Sequence, residues 1–265
     1  MIEQGLKLNK IYNMDCVGGM KLLPDNSVDL TVTSPPYFNA KAYSHWDTYE
    51  EYLCWLESVF SEVFRVIKQG RMCCVNISTI LVSRAKRNDE SKRLPLPFHF
   101  VNIMEKIGFK FLEDIIWVKP EGASKNRNGG FYQHRQPVAY KPNVINEYIF
   151  VFQKPAPFLI DKIVRDYKGV IKENSLVCGE YERSNIWYIN PETKSKHLAP
   201  YPEKLCDNLT RYYSYDGDIV LDMFMGSGTT AVACVRNNRN YIGFEISKEY
   251  CEIAEQRIAE MKGGE

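Results

Sequence analysis

The feature that most constrains the fold is a glycine turn that lies late in the 265-residue sequence. The segment 219–231 has the pattern of a strand, a turn and the start of a helix, and Gly226, Gly228 and Ala231 within it satisfy G-x-G-x-x-A. Glu245 ends the next predicted strand, nineteen residues after Gly226. Such glycines let the backbone approach a ligand, and an acid at that position can accept hydrogen bonds from ribose hydroxyls. The pattern therefore predicts a nucleoside site.

Two other interpretations of the turn stay open at this point: a dinucleotide oxidoreductase, and a tight turn that binds nothing. A Walker-type phosphate loop is excluded, because no lysine follows the glycines. Only one more helix is predicted after Glu245, so the remaining strands of the sheet must come from earlier in the chain. A nicotinamide dehydrogenase normally places this turn first. The order of elements therefore disfavours that enzyme class.

The rest of the sequence alternates between predicted strands and helices. Strands are predicted at 28–33, 72–77, 111–118, 147–152, 218–224 and 240–246. Helices are predicted from a capping box of Thr48 and Glu51 to Gly70, at 97–107, near 202–213, from the glycine turn, and from Ser247. The segments 81–96, 120–143 and 154–195 lack periodicity. This alternation predicts an α/β layered sheet with parallel strands and crossover helices.

Composition at first argues against a nucleic-acid partner. The chain has 34 Lys and Arg against 33 Asp and Glu, a net charge of +1, and 45% apolar residues. The average hides a basic middle, since residues 81–141 contain 12 Lys and Arg against 6 Asp and Glu. The eight cysteines form no C-x-x-C pair and the four histidines are scattered, so no metal site is predicted. No apolar run is long enough for a membrane span or a signal core, and we expect a cytoplasmic protein.

The tetrapeptide Ser34-Pro35-Pro36-Tyr37 directly follows the first predicted strand. The two prolines lack an N–H group, so the backbone here offers carbonyl acceptors without the corresponding donors. An aromatic ring follows directly. This combination suits a planar group that carries an exocyclic NH₂. The Ser34 hydroxyl and the Pro35 carbonyl can accept hydrogen bonds from the two N–H groups of this amine, and Tyr37 can stack on the ring that carries it. The alternative is a proline-capped strand end without a ligand.

Together these motifs make the sequence resemble the S-adenosylmethionine-dependent DNA amino-methyltransferases. The resemblance extends over nearly the whole chain, through 15–16, the tetrapeptide, 117–120, 147–149, 197–202 and 222–229. The catalytic tetrapeptide comes first and the cofactor loop last, which is the order of the permuted subgroup called beta. The resemblance implies a Rossmann-like fold with a mostly parallel, seven-stranded-type sheet and helices on both faces. It also implies S-adenosylmethionine as the cofactor.

The resemblance assigns roles to individual residues. It implies a catalytic tetrapeptide of Ser34, Pro35, Pro36 and Tyr37. It implies a cofactor site made of Asp15, Cys16, His197, Ala199, Pro200, Asp222, Phe224, Gly226, Ser227, Gly228, Thr229, Glu245 and Ile246. A serine at the first tetrapeptide position resembles cytosine-N4 enzymes, and we expect that base ahead of adenine N6. No Pro-Cys dipeptide occurs, which disfavours methylation of a cytosine ring carbon. A catalytically silent DNA- or cofactor-binding protein is the alternative from another class.

The expected partner is double-stranded DNA, within a restriction-modification or epigenetic system. Its phosphates would contact basic residues of the loops 81–96 and 120–143: Arg84, Lys86, Arg87, Lys92, Arg93, Lys125, Arg127 and Arg135. We expect residues 1–265 to form a single catalytic domain, with a small target-recognition insert at 154–190. A cognate restriction endonuclease stays open as a second partner, and both a monomer and a homodimer are allowed.

Overall fold

The computed structural model describes residues 5–38, 46–82, 92–121, 137–138, 140, 142–192 and 202–263. Several predicted site residues lie outside the described residues: Arg84, Lys86, Arg87, Lys125, Arg127, Arg135, His197, Ala199 and Pro200. None of the helices in the described part of the chain has the length and apolar character needed to cross a membrane.

Ten strands occur in the described residues. They are β1 Lys10–Asn13, β2 Val28–Thr33, β3 Ile67–Ile77, β4 Ile80–Val82, β5 Lys92–Leu94, β6 Lys110–Val118, β7 Asn146–Gln153, β8 Ile186–Tyr188, β9 Ile219–Asp222 and β10 Asn240–Glu245. Strands β4 and β5 form a small antiparallel pair, and the other eight form one sheet in the order β1-β10-β9-β2-β3-β7-β6-β8. Only β7 runs against its neighbours, so the sheet is mostly parallel.

The described residues form eight helices, and six of them cover the two faces of this sheet. The eight are α1 Cys16–Met20, α2 Tyr49–Val66, α3 Leu96–Ile107, α4 Ile160–Asp166, α5 Gly169–Asn174, α6 Glu203–Tyr213, α7 Thr229–Arg236 and α8 Lys248–Gly263. Residues of α1, α2 and α3 share one apolar cluster, and residues of α6, α7 and α8 share the other. Strand residues alternate between the two, as in β7, where Phe150 and Phe152 join the first cluster and Ile149 and Val151 the second.

The pairing of β9 with β2 sets the geometry of the site. These strands are nearly two hundred residues apart in sequence, yet they are parallel neighbours, with Leu30 opposite Val220 and Thr31 opposite Leu221. The segments that follow them, the tetrapeptide and the glycine turn, therefore leave the sheet side by side. The strand before the late glycine turn therefore pairs with a strand from much earlier in the chain, as predicted from the motif order.

The structure confirms the α/β fold and the main predicted elements, including the capping box of Thr48 and Glu51. The helix that starts there was predicted to run to Gly70, but it ends at Val66, because the backbone is already extended at Ile67 where β3 begins. The sheet has eight strands where seven were expected, because the three-residue β8 adds an edge beside β6. The following short elements were not predicted: β1, α1, β4, β5, α4, α5 and β8. Helices α4 and α5 are only seven and six residues long and bury no residue, so each is too short to show the helical periodicity over several turns by which a helix is predicted.

Candidate active site

A cavity of about 450 Å³ opens at the carboxyl-end edge of the parallel strands. This is the usual place for ligands in open α/β sheets, because the loops that follow the strands converge there. Most of the predicted catalytic and cofactor residues that lie in the described part line this cavity: Asp15, Cys16, Ser34, Pro35, Pro36, Tyr37, Phe224, Gly226, Ser227, Thr229, Glu245 and Ile246. The tertiary structure thus brings the tetrapeptide and the glycine turn into one site.

Two hydrogen bonds hold this loop in place, one at the residue before the tetrapeptide and one at the tetrapeptide itself. Thr33, the last residue of β2, donates from Oγ1 to Asp222 Oδ1 of β9 at 2.6 Å. The hydroxyl of Tyr52, on α2, donates to the carbonyl oxygen of Pro36 at 3.0 Å. Tyr52 is fully buried, so this donor is shielded from water. These contacts fix the loop from its strand and from the helix above it.

Asp222 and Gly228 were expected to bind the cofactor, but neither lines the cavity. The buried Asp222 carboxylate accepts hydrogen bonds from Thr33 Oγ1, from Thr230 Oγ1 at 2.6 Å and from the Phe224 N–H at 3.0 Å. It therefore joins β2, β9 and α7. Gly228 has a φ of +85°, and a Cβ there would lie 2.7 Å from Ala254 Cβ, so this glycine is required by packing against α8.

The Glu245 carboxylate lies at the end of β10 and is held by backbone groups. Its Oε2 accepts from the Gly226 N–H at 2.9 Å, and its Oε1 accepts from the Ser247 N–H at 2.8 Å. Burial raises the pKa of Glu245 above its ordinary value, although these two N–H groups lower it. Each carboxylate oxygen can accept a second hydrogen bond, so the group retains acceptor capacity towards the cavity.

On the β1 side, the cavity wall is built by the start of α1. Asp15 caps this helix, since its Oδ1 accepts from the Gly18 N–H at 2.9 Å. Burial, together with the Asp15 charge, raises the pKa of the Cys16 thiol to about 12, so the thiol stays neutral. Gly19 packs flat against Phe244, which also lines the cavity. This part of the wall combines one carboxylate with apolar surface.

An aromatic group between the two motifs was not predicted from the sequence. Trp46 and Trp55 line the cavity with ring centroids 4.7 Å apart, and Trp55 contacts Phe224 of the glycine turn at 5.6 Å. Trp55 lies three residues after Tyr52 on α2, and this i, i+3 spacing was the available signal. These rings connect the tetrapeptide wall with the wall formed by the glycine turn.

Arg257 of α8 is a second residue that the sequence did not single out. Its Nη1 donates to the Ser227 carbonyl at 2.7 Å, and its Nη2 donates to Glu203 Oε1, also at 2.7 Å. The guanidinium thus ties the glycine turn to the first turn of α6. Burial raises the pKa of Glu203, but the hydrogen bonds and charges of Arg236 and Arg257 outweigh it, and the pKa is lowered overall.

Of the predicted DNA-contacting residues, Lys92 and Arg93 lie in the described part. Both are exposed on β5, and Arg93 Nη2 donates to the Pro142 carbonyl at 3.2 Å. The pair β4 and β5 therefore presents basic side chains to solvent close to the segment around Pro142. Their contact with DNA stays a prediction.

The fold and the cavity define a Rossmann-like α/β protein whose nucleoside-type turn and acceptor tetrapeptide occur in permuted order. The sequence profile of the DNA methylase family, N6/N4 type, matches residues 28–256, and the chain belongs to this family. This match confirms the resemblance that was inferred from the motifs.

Individual relatives agree with this assignment. The type II methyltransferase M.BglII of Bacillus subtilis is 32% identical over 260 residues, which cover 95% of this chain and 69% of that protein. The type II beta methyltransferase M.BslI of Bacillus sp. (strain NEB-606) is 31% identical over 94% of this chain, which spans 27% of that longer protein. The crystal structure of TTHA0409 from Thermus thermophilus superposes with a TM-score of 0.76 at 28% identity, covering 97% of this chain and 96% of that one.

Proposed function

We propose that this protein is a site-specific DNA methyltransferase that uses S-adenosylmethionine to methylate the exocyclic amino group of a flipped base, N4 of cytosine ahead of N6 of adenine. One observation carries the proposal: the acceptor tetrapeptide and the nucleoside-type turn with Glu245 line one cavity. Membership of the N6/N4 DNA methylase family supports the reaction class. TTHA0409, 28% identical, has a crystal structure in complex with S-adenosyl-L-methionine.

The residues of the cavity fit S-adenosylmethionine by the chemistry of their donors and acceptors. The Glu245 carboxylate has acceptor capacity for ribose hydroxyls, and Phe224 and Ile246 offer apolar surface to an adenine ring. Asp15, which follows the neighbouring strand β1, adds a second acceptor to the cavity lining. Bound there, the cofactor supplies an activated methyl group. His197, Ala199 and Pro200 stay predicted cofactor residues, and Asp222 and Gly228 are proposed to shape the glycine turn.

The tetrapeptide is proposed to prepare the amino group for attack. The Ser34 hydroxyl and the Pro35 carbonyl accept hydrogen bonds from its two N–H groups, which turns the nitrogen lone pair out of conjugation with the ring. One of these protons is released to solvent once the methyl group has been transferred. Tyr37 stacks on the flipped base, whose extrusion costs a few kcal/mol. The ring of Tyr37 also favours a nearby cation by roughly 0.5–2 kcal/mol. Most of the remaining effect is positioning, because the methyl donor is already activated.

The choice of cytosine rests on Ser34, since the resembling cytosine enzymes carry serine at this position and adenine enzymes more often carry Asp or Asn. Both a hydroxyl and a carboxylate accept protons, so this choice needs a direct test. Contacts with DNA are assigned to the basic residues of 81–96 and 120–143, and sequence recognition to 154–190. The proposal allows a cognate restriction endonuclease as a second partner, and it allows either a monomer or a homodimer.

The test begins with expression in a host that has no DNA methylation. Its DNA is digested to nucleosides, and we expect N4-methylcytosine; N6-methyladenine alone would exclude the cytosine assignment. Single-molecule sequencing of the same DNA gives the recognition site. In vitro, Ser34→Ala and Tyr37→Ala should each abolish transfer of labelled methyl groups while cofactor binding persists. Activity that survives both changes would show that the tetrapeptide is not the catalytic site. An inactive wild-type protein that still binds DNA or cofactor would favour the silent alternative.

A further inference from the structure

A buried ion pair lies in the cavity beyond the tetrapeptide, on the side away from the cofactor residues. Lys119 Nζ is 2.5 Å from Glu147 Oε1, and the two side chains are 13% and 9% exposed. Lys119 directly follows β6 and Glu147 is the second residue of the antiparallel β7, so both lie at the same edge of the sheet as the tetrapeptide. Both residues line the cavity. Neither has a part in the mechanism described so far.

The lysine is held from two sides. Its Nζ lies 4.2 Å from the centroid of the Trp117 ring, and the Trp117 indole N–H donates to the Ile189 carbonyl at 2.8 Å, which fixes that ring. An ammonium has three N–H donors, and among the described residues Glu147 is its only hydrogen-bond acceptor. The lysine therefore keeps donor capacity at the cavity wall.

Stability alone is a weak reason for such a pair. Removing two charges from water costs several kcal/mol per ion, and apolar residues of similar volume often stabilise a protein as well as a buried pair does. An ion pair that lines a ligand cavity is better explained by the ligand. Glu147 then holds the ammonium in one orientation, and Trp117 stops it from moving along the wall.

The spacing fits one planar base between the tetrapeptide and this pair. Strands are about 4.8 Å apart, so the strand of Glu147 lies about 10 Å from that of Ser34 and the strand of Lys119 about 14 Å away. The long Lys119 and Glu147 side chains cover part of this distance. When the amino group of cytosine faces Ser34 and Pro35, the acceptors N3 and O2 continue along the same edge of the ring. Adenine in that position would present N1 and then a C–H group.

We infer that Lys119, oriented by Glu147, donates a hydrogen bond to the acceptor edge of the flipped base and so helps to select cytosine. This inference rests on the proposed function, because it assigns a second contact to the same base. Enzymes that flip a base commonly recognise it through hydrogen bonds to its pairing edge. Glu147 is a positioning residue, since it acts through Lys119.

The experiment uses plasmid DNA from a methylation-free host and labelled S-adenosylmethionine, with kcat/KM for DNA measured at saturating cofactor. We expect K119M to lower kcat/KM about 10- to 100-fold, K119R to recover part of the loss, and E147Q to lower it in the same direction. The control is K106M, which breaks the exposed pair of Lys106 and Glu57 outside the cavity and should match the wild type. Cofactor affinity, measured by calorimetry, should be the same in all five proteins.

Unchanged cofactor affinity separates recognition of the base from a structural role, which would weaken cofactor binding as well. A kcat/KM of K119M as high as that of K106M would overturn the inference while the wild-type reaction still supports the proposed function. If K119M loses cofactor binding, the inference is tested with E147Q instead. A kcat/KM of E147Q equal to that of K106M would then overturn it. A wild-type protein that labels only adenine would exclude the cytosine assignment and this inference together, and one that labels no DNA would refute the proposed function itself.

Discussion

The hydrogen bond from Tyr52 to the tetrapeptide gives the sharpest prediction. The hydroxyl donates to the Pro36 carbonyl at 3.0 Å, and the side chain is 0% exposed. Burial raises the pKa of Tyr52 well above its ordinary value, so the hydroxyl stays protonated and acts as a donor throughout the working pH range. Tyr52→Phe removes this oxygen and keeps the ring that packs against Trp46 and Trp55.

The size of the effect follows from the burial. A net hydrogen bond contributes about 0.5–1.5 kcal/mol, and leaving a buried acceptor unpaired costs about 1–3 kcal/mol. Since the Pro36 carbonyl is partly buried, we expect the free energy of unfolding to fall by about 1–2 kcal/mol. That corresponds to a drop in Tm of about 2–4 °C for a chain of this size. If the less well positioned tetrapeptide raises the activation free energy of methyl transfer by about 1.4 kcal/mol, kcat falls about tenfold.

Tyr49→Phe is the matched control for Tyr52→Phe. It removes a hydroxyl from the same helix, one turn earlier, where the partner is His99 Nδ1 at 3.1 Å and not the tetrapeptide. The assay compares single-turnover methyl transfer, thermal unfolding and cofactor affinity for both variants. We expect only Tyr52→Phe to slow transfer, with cofactor affinity unchanged. Equal transfer rates for the two variants would refute the idea that this bond positions the tetrapeptide.

Three further predictions concern the cofactor half of the cavity. Gly19→Ala places a Cβ 2.3 Å from Phe244 Cε1, and should lower the stability in urea by about 1–3 kcal/mol and weaken cofactor binding; wild-type stability would contradict the packing. Arg257→Met removes a charged donor from the Ser227 carbonyl, and calorimetry should show about tenfold weaker cofactor binding with little change in kcat; a loss confined to kcat would argue otherwise. Ribose binding needs ionised Glu245, whose pKa is raised by burial. Cofactor affinity should therefore fall as the pH drops below that raised pKa, about tenfold per pH unit. A cofactor affinity that does not change with pH would exclude this role.

Some features of the site were predictable because they depend on residues that are adjacent in the sequence. The strand before Ser34, the two prolines and the following aromatic ring define an acceptor turn by local chemistry. The glycine turn and Glu245, nineteen residues later, define a nucleoside site in the same way. The order of these two motifs was enough to predict that the sheet is assembled from strands distant in sequence, and the pairing of β9 with β2 agrees.

The sequence by itself thus determined the family, the fold class and the two local motifs. Only the tertiary structure decided which distant side chains support them. Tyr52 belongs to the apolar stripe of α2 in the sequence, but its hydroxyl reaches Pro36. Asp222 has the position of a ligand residue in its motif, but its carboxylate is used by Thr33 and Thr230. The physical reason is that a side chain's partner depends on the packing of whole elements, which local backbone preferences do not encode.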